Sequence, residues 1–266
     1  MFTLSYDDGV VEDLQLLEML NHYGAKCTFN LNAGLLGQQE TFTMGDIRQR
    51  IERVTADQVT RHYQGHEIAG HGLYHSSLAD IGTPAAMHEI IEDKRLLEAL
   101  TGTLLRTFAL PFGAYHAQVK DLLQKAGYQS SRTIISTHAF AIPEDFLEWH
   151  PTCHHADARL MELAHTFCEG EQLFEQPQLF AVWGHSYEFN SPQAWKVMED
   201  LLAYLASHRE KIWFATNGEV SAYISDYRRL SYSVDGSKIY NPTATTLWLS
   251  VSGVCHRING GETLTL

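Results

Sequence analysis

Asp7 and Asp8 stand side by side in Ser5-Tyr-Asp-Asp-Gly9, two carboxylates and a glycine directly after a short apolar run. Neighbouring side chains leaving a strand point in different directions, so one carboxylate can hold a metal ion while the other takes a proton from water. An Asp-Gly turn is the ordinary alternative, and the chemical reading therefore requires partners elsewhere in the chain. His71-Gly-Leu-Tyr-His75 offers two imidazoles four residues apart, a spacing that puts both on one face of a helical turn and suits a divalent ion. Its second position is Gly72, which cannot act as a base, so a zincin-type protease is disfavoured. Phe108-Ala-Leu-Pro-Phe-Gly-Ala-Tyr115 reads as a tight turn whose freed backbone N–H groups suit an oxyanion, or as a plain strand-to-helix loop. Phe180-Ala-Val-Trp-Gly-His185 places a histidine after an apolar run, between Trp183 and Tyr187.

With 15 histidines, pairs at the same spacing also arise by chance, as at His62/His66 and His150/His154. His62 precedes a strand and so lies on the wrong side of the fold. The run His150-Pro-Thr-Cys-His-His155 falls in a loop on the same rim as the other motifs and is kept as a candidate for substrate binding or for tuning a metal.

These groups need a scaffold that brings strand ends together, and the chain has the pattern for one. Met1–Tyr6 reads as a strand, Val11–Tyr23 as a helix ending at Gly24, and Lys26–Asn30 as a second strand, one βαβ unit. Asp46–Tyr63 reads as a charged helix, His66–Ala69 as a strand and Pro84–Leu100 as a long helix. Strands near Leu104–Leu110, Tyr128–Ile135, Gln178–Trp183 and Lys211–Ala215 alternate with helices over Ala117–Ala126, Asp157–Glu169, Pro192–His208 and Asn217–Tyr227. Repeated strand-then-helix order implies a parallel sheet with crossover helices, as an open sheet or, the reading favoured here, a barrel. Beyond Leu230 only strand and turn signals remain, which predicts a barrel over 1–229 and a small β-rich appendage over 230–266 packed on it.

Composition narrows the partners. At 266 residues with 44% hydrophobic and 19% charged side chains, the chain has the material for a large core and is not disordered. Its 19 basic against 32 acidic residues leave a net charge of -13, which repels phosphate backbones and anionic lipid, so neither nucleic acid nor a membrane is an expected partner. Four scattered cysteines form no C-x-x-C pair, and no leader-like or membrane-spanning run is seen, which suggests a cytoplasmic protein.

The four segments, in this order, resemble the polysaccharide deacetylase family, the NodB-homology group of carbohydrate esterases (family 4-like), over roughly residues 1–225. Ser5-Tyr-Asp-Asp-Gly9 stands for the family's T-F-D-D-G, His71–His75 for H-x-x-x-H, Ala109-Leu-Pro-Phe-Gly113 for R-x-P-Y-G and Val182-Trp-Gly-His185 for L-x-L-x-H. The resemblance implies an α/β fold, a deformed (β/α)7 barrel, and metal-dependent removal of acetyl from an N-acetylated sugar. On that pattern Asp7 is the base, while Asp8, His71 and His75 hold a divalent ion, with zinc as the default. The backbone N–H of Phe112 would hold the oxyanion, and His185, if protonated, would act as acid toward the leaving amine. Trp183 and Tyr187 would wall the substrate, with Pro111, Tyr115, His154 and Arg132 as further substrate-binding candidates. The chain departs from the family at Ala109, where an arginine usually orients the catalytic aspartate, and Arg132 at the next strand end is the expected substitute. The family's aspartate near a tryptophan, which tunes the late histidine, matches only loosely at Asp145–Trp149.

A small acetylated sugar or another acylated amide is the expected substrate, with ester cleavage and self-association left open. Two other functions compete: a non-catalytic carbohydrate-binding protein on a decayed barrel, and a metal-free hydrolase of cyclic amides on the same fold.

Overall fold

In the computed structural model of the protein, which describes residues 1–44, 47–170 and 177–266, Phe2–Asp7 forms β1. Phe2, Leu4 and Tyr6 alternate into the apolar core, while Thr3, Ser5 and Asp7 of the opposite face are equally buried. A strand buried on both faces belongs to a parallel sheet covered by helices, and here the second face is polar because it carries the site. Helix α1 (Asp13–Tyr23) follows, buries Leu16, Leu17 and Leu20, and stops at Gly24, whose φ of 59° is the left-handed cap that glycine adopts without strain.

Next come β2 (Thr28–Leu31), β3 (Gln39–Met44), β4 (Ile47–Glu52), α2 (Ala56–His62), β5 (Glu67–Gly70), α3 (Thr83–Thr101) and β6 (Thr107–Ala109). They are followed by α4 (Ala117–Lys125), β7 (Ser130–Arg132), β8 (Cys153–His154), α5 (Leu160–Glu169), β9 (Phe180–His185) and α6 (Pro192–Ser207). Seven of these strands make one parallel sheet in the order β7-β6-β5-β2-β1-β9-β8. The sheet curls shut through the segment leading into β8. Trp149 exchanges backbone hydrogen bonds with Ser131 and Thr133 beside β7, and three residues later Thr152 N–H donates to Ala181 of β9. The result is the deformed (β/α)7 barrel, with the C-terminal ends of β1, β5, β6, β7 and β9 at one rim.

Two sequence expectations need correction. The helix expected over Asp46–Tyr63 is divided: β4 pairs antiparallel with β3, only Ala56–His62 is helical, and Asp46 lies outside the described residues. Isoleucines at 47 and 51 satisfy helical and strand spacing alike, so pairing with Gln39–Met44 decides the outcome. The helix begins only at Thr55, where a reciprocal capping box with Gln58 supplies the start signal. The strand expected at Lys211–Ala215 reduces to a single parallel bridge between Phe214 and Phe2.

The chain divides into two units, Met1–Glu171 with Pro177–Gly218, and a second that includes Glu219–Leu266. Helix α7 (Asn217–Tyr227) precedes β10 (Ser231–Tyr232), β11 (Lys238–Tyr240), β12 (Leu247–Val251), β13 (Val254–Ile258) and β14 (Thr263–Thr265). These form a three-stranded sheet, β10-β11-β14, and a β12-β13 hairpin around Leu230, Ile239, Leu247, Leu249 and Ile258. Among the described residues, no helix is long and apolar enough to cross a membrane.

Candidate metal and catalytic site

β1 ends by delivering Asp7 and Asp8 in different directions, and each carboxylate meets its own arginine. Arg132, at the end of β7, bonds both oxygens of Asp7 through Nη2, donates to Ser5 Oγ from Nε at 3.0 Å, and is itself 2% exposed. Asn30 adds an Nδ2 donor to Asp7 Oδ1 at 2.8 Å. Burial alone would raise the Asp7 carboxyl, but Arg132, then His71 and His185, outweigh it and hold Asp7 below the usual carboxylate range. Arg132 thus stands against the carboxylate where Ala109 leaves no arginine.

Asp8 adopts φ 80°, a left-handed conformation uncommon for a non-glycine residue. Its Oδ1 lies 3.7 Å from His75 Nε2 and 4.0 Å from His71 Nε2. Arg53 Nη1 approaches the same oxygen at 2.8 Å. Burial would raise this carboxyl too, and Arg53, followed by His71 and His75, brings it down to about 2.

His71 and His75 do not share a helical turn. They lie in the loop after β5, where Gly72 at φ 78° and His75 at φ 60° reverse the chain. Two acids from the buried face of α3 shape this loop: Asp93 accepts the Ala33 and His71 N–H groups at 2.8 and 3.0 Å, and Glu89 accepts that of Tyr74 at 2.9 Å. His71 Nδ1 is 2.8 Å from the Ala109 carbonyl, an acceptor only, so Nδ1 carries the proton and Nε2 presents a lone pair. That buried Nε2 has no hydrogen-bond partner, and Asp8 Oδ1 has only the Arg53 ion pair. An unpartnered imidazole nitrogen beside a second imidazole and a carboxylate is a donor set that fits a divalent ion.

The other candidates spread along the rim. Phe112 sits at φ 59° in the turn after β6, is 62% exposed, and lies 4.6 Å ring to ring from His75; Pro111 beside it is buried. His185, paired in register with Asp7, has Nδ1 3.4 Å from Glu188 Oε2 and Tyr187 stacked on it at 5.0 Å. Burial would lower the His185 pKa, but the Glu188 bond and the Asp7 and Asp8 charges raise it above the ordinary value. Trp183 is 8% exposed and backs the Arg132 guanidinium at 4.7 Å. His154 Nε2 lies 3.1 Å from Glu188 Oε2. Tyr115 stands apart from this group, its hydroxyl donating to Glu148 at 2.7 Å.

Sequence reasoning assigned no role to Arg53, Glu188, Asn30, Asp93 or Glu89. Signals existed: Asp93 and Glu89 fall on the stripe of α3 that also buries Ala86, Ile90 and Leu97, and Asn30 interrupts an apolar strand.

A sequence profile described as polysaccharide deacetylase matches residues 1–131 of this chain. A comparison with curated proteins gave no match. Among solved structures, a "T48 deacetylase with substrate" aligns at 15% identity over 83% of this chain and 90% of that one, with a TM-score of 0.53. A family 4 acetyl xylan esterase from Clostridium thermocellum, solved with a cobalt ion, aligns at 18% identity over 84% and 91%, TM-score 0.51. A CE4 family pseudoenzyme from Bacillus anthracis aligns at 13% identity over 81% and 63%, TM-score 0.51. The chain also spans 61% of the Streptococcus pyogenes deacetylase PplD, solved with acetate. At these identities the likeness is one of fold.

Proposed function

We propose that the protein is a metal-dependent deacetylase acting on the N-acetyl group of an amino sugar or related carbohydrate. The observation that carries this reading is the pairing of two unlike carboxylates, Asp8 facing the unpartnered His71 Nε2 and the His75 ring, and Asp7 held ionised by Arg132.

Asp8, His71 and His75 would hold a divalent ion, with zinc the default for mixed oxygen and nitrogen donors. When bound, the ion supplies Lewis acidity at the acetyl carbonyl and acidifies a water molecule. Asp7 takes the proton from the attacking water, kept in its basic form by Arg132 and oriented by the Asn30 amide. The Phe112 N–H would serve as oxyanion donor, in the turn whose side chain meets the His75 ring edge to face. His185, its pKa raised and its Nδ1 turned to Glu188, donates a proton to the leaving amine. Tyr187, Pro111 and Phe112 border the space where the sugar would lie, and Trp183 supports it from behind Arg132.

Arg132 also weighs against the non-catalytic reading, because the aspartate it grips needs no arginine at position 109. The net charge of -13 and four unpaired cysteines fit a small soluble substrate in a reducing, cytoplasmic setting. The test is an acetate-release screen over N-acetyl and O-acetyl sugars with zinc-reconstituted protein. Turnover lost in Asp7→Asn with the ion retained supports the reading, whereas a bound ion without turnover on any acylated sugar or amide refutes it.

A further inference from the structure

Arg53 is 5% exposed, and its backbone is stitched to the turn that follows Asp8. Val54 N–H donates to Gly9 at 2.8 Å, Val11 N–H donates to Glu52 at 2.9 Å, and Val10 bridges Arg53. From this fixed anchor Nη1 reaches Asp8 twice, at 2.8 Å from Oδ1 and 2.6 Å from the backbone carbonyl, while Nη2 pairs with Glu40 of β3 at 2.8 Å. Asp8 Oδ1 is the same oxygen that faces His71 and His75. A carboxylate oxygen ion-paired with a buried guanidinium has less charge to offer a metal, because the guanidinium adds positive potential beside it.

We propose that Arg53 is a positioning residue that shares the Asp8 carboxylate with the bound ion and weakens the site's hold on divalent metal, with Glu40 setting how much of the guanidinium charge reaches it. The inference rests on the reading of Asp8, His71 and His75 as ligands. It gives Arg53 a second consequence: without an ion, the guanidinium keeps a buried carboxylate paired, so the metal-free barrel retains its form. With an ion bound, the same contact keeps the metal more Lewis acidic than an unopposed aspartate would.

Zinc dissociation constants measured by chelator competition on wild type, Arg53→Met, Arg53→Lys, Glu40→Gln and His71→Ala test this. Arg53→Met is expected to bind zinc about 10- to 100-fold more tightly, the size typical of changes beside metal ligands. Arg53→Lys should stay within a few-fold of wild type. Glu40→Gln, at a half-exposed position that leaves folding intact, should bind zinc about threefold more weakly, because it unmasks the guanidinium. Melting with and without zinc adds a second readout: the rise in Tm on adding zinc should be larger in Arg53→Met than in wild type. A purely structural arginine would lower both melting points equally and leave the zinc constant unchanged, which overturns the inference. So does weaker binding in Arg53→Met, or, should that variant not fold, an unchanged constant in Glu40→Gln. Failure of the underlying reading looks different: wild type would show no zinc site that His71→Ala removes.

Discussion

The barrel carries two clusters, each of two histidines and a carboxylate, wired in opposite senses. In the first, Asp8, His71 and His75 place their ligand atoms within 4.8 Å of one another, and in the second His154, His155 and Glu188 do the same. The difference lies in which backbone group meets Nδ1, a carbonyl in the first cluster and an N–H in the second. The Ala109 carbonyl takes the proton-bearing Nδ1 of His71 and leaves a lone pair on Nε2. The Ala156 N–H instead donates to Nδ1 of His154 at 3.1 Å, which puts the His154 proton on Nε2, directed at Glu188. Glu188 Oε2 is also 3.3 Å from His155 Nε2 and accepts the His185 backbone N–H at 3.1 Å. One cluster therefore converges lone pairs on a point, as an ion requires, and the other converges N–H groups on a carboxylate, which fills the same space with hydrogen bonds. Residue type and spacing do not separate the two; the tautomer does.

The sharpest way to divide the clusters is through catalysis. Asp7→Asn, beside the first, is expected to lower kcat by about 10²- to 10⁴-fold with the ion still bound, as loss of a general base does. Glu188→Gln, in the second, should lower kcat by a smaller factor, roughly 10- to 100-fold. Its signature is a pH shift: Glu188 helps raise the His185 pKa, so its loss lowers that pKa. The alkaline limb of the kcat profile, where His185 loses its proton, should then move to lower pH.

Packing distinguishes the clusters as well. Any side chain at Gly184 meets the His155 ring, with a Cβ falling 2.1 Å from Nδ1. Gly184→Ala should therefore displace His155 and cost about 1 to 3 kcal/mol of stability by denaturant unfolding, while leaving metal affinity near wild type.

A further effect is expected on the acid side of the stability profile. Burial, together with the His154 charge, lowers the His155 pKa to about 3, against an unfolded value near 6.5. Between those values the unfolded chain binds a proton that the folded chain refuses, so stability falls as pH drops from about 6.5 toward 3. One such proton gives a slope of about 1.4 kcal/mol per pH unit. His155→Gln should remove that share of the slope, and an unchanged slope would mean that His155 titrates normally.

The first cluster was legible because its chemistry is local. Asp7 and Asp8 are neighbours, His71 and His75 lie four residues apart, and each group follows an apolar strand that topology carries to the rim. Arg132 was also readable, since a strand end next to β6 brings it near the gap left by Ala109. The loop conformation of His71–His75 was not, because four-residue spacing suits a helix as well as a glycine-reversed turn. Arg53 lies 45 residues from Asp8 and reaches it through a hairpin whose isoleucine spacing mimics a helix. Glu188 stands in plain view three residues after His185, but its role depends on His154 and His155 arriving from a separate loop. Long-range pairs between polar groups leave no periodic trace in a sequence, whereas strand ends do.

The central claim is that the first cluster, and not the second, holds a divalent ion. Elemental analysis of zinc-reconstituted wild type, His71→Ala and Glu188→Gln tests it most directly. About one ion per chain in wild type and Glu188→Gln, with none in His71→Ala, is the expected result. No ion in wild type, or an ion that His71→Ala keeps and Glu188→Gln loses, would contradict it.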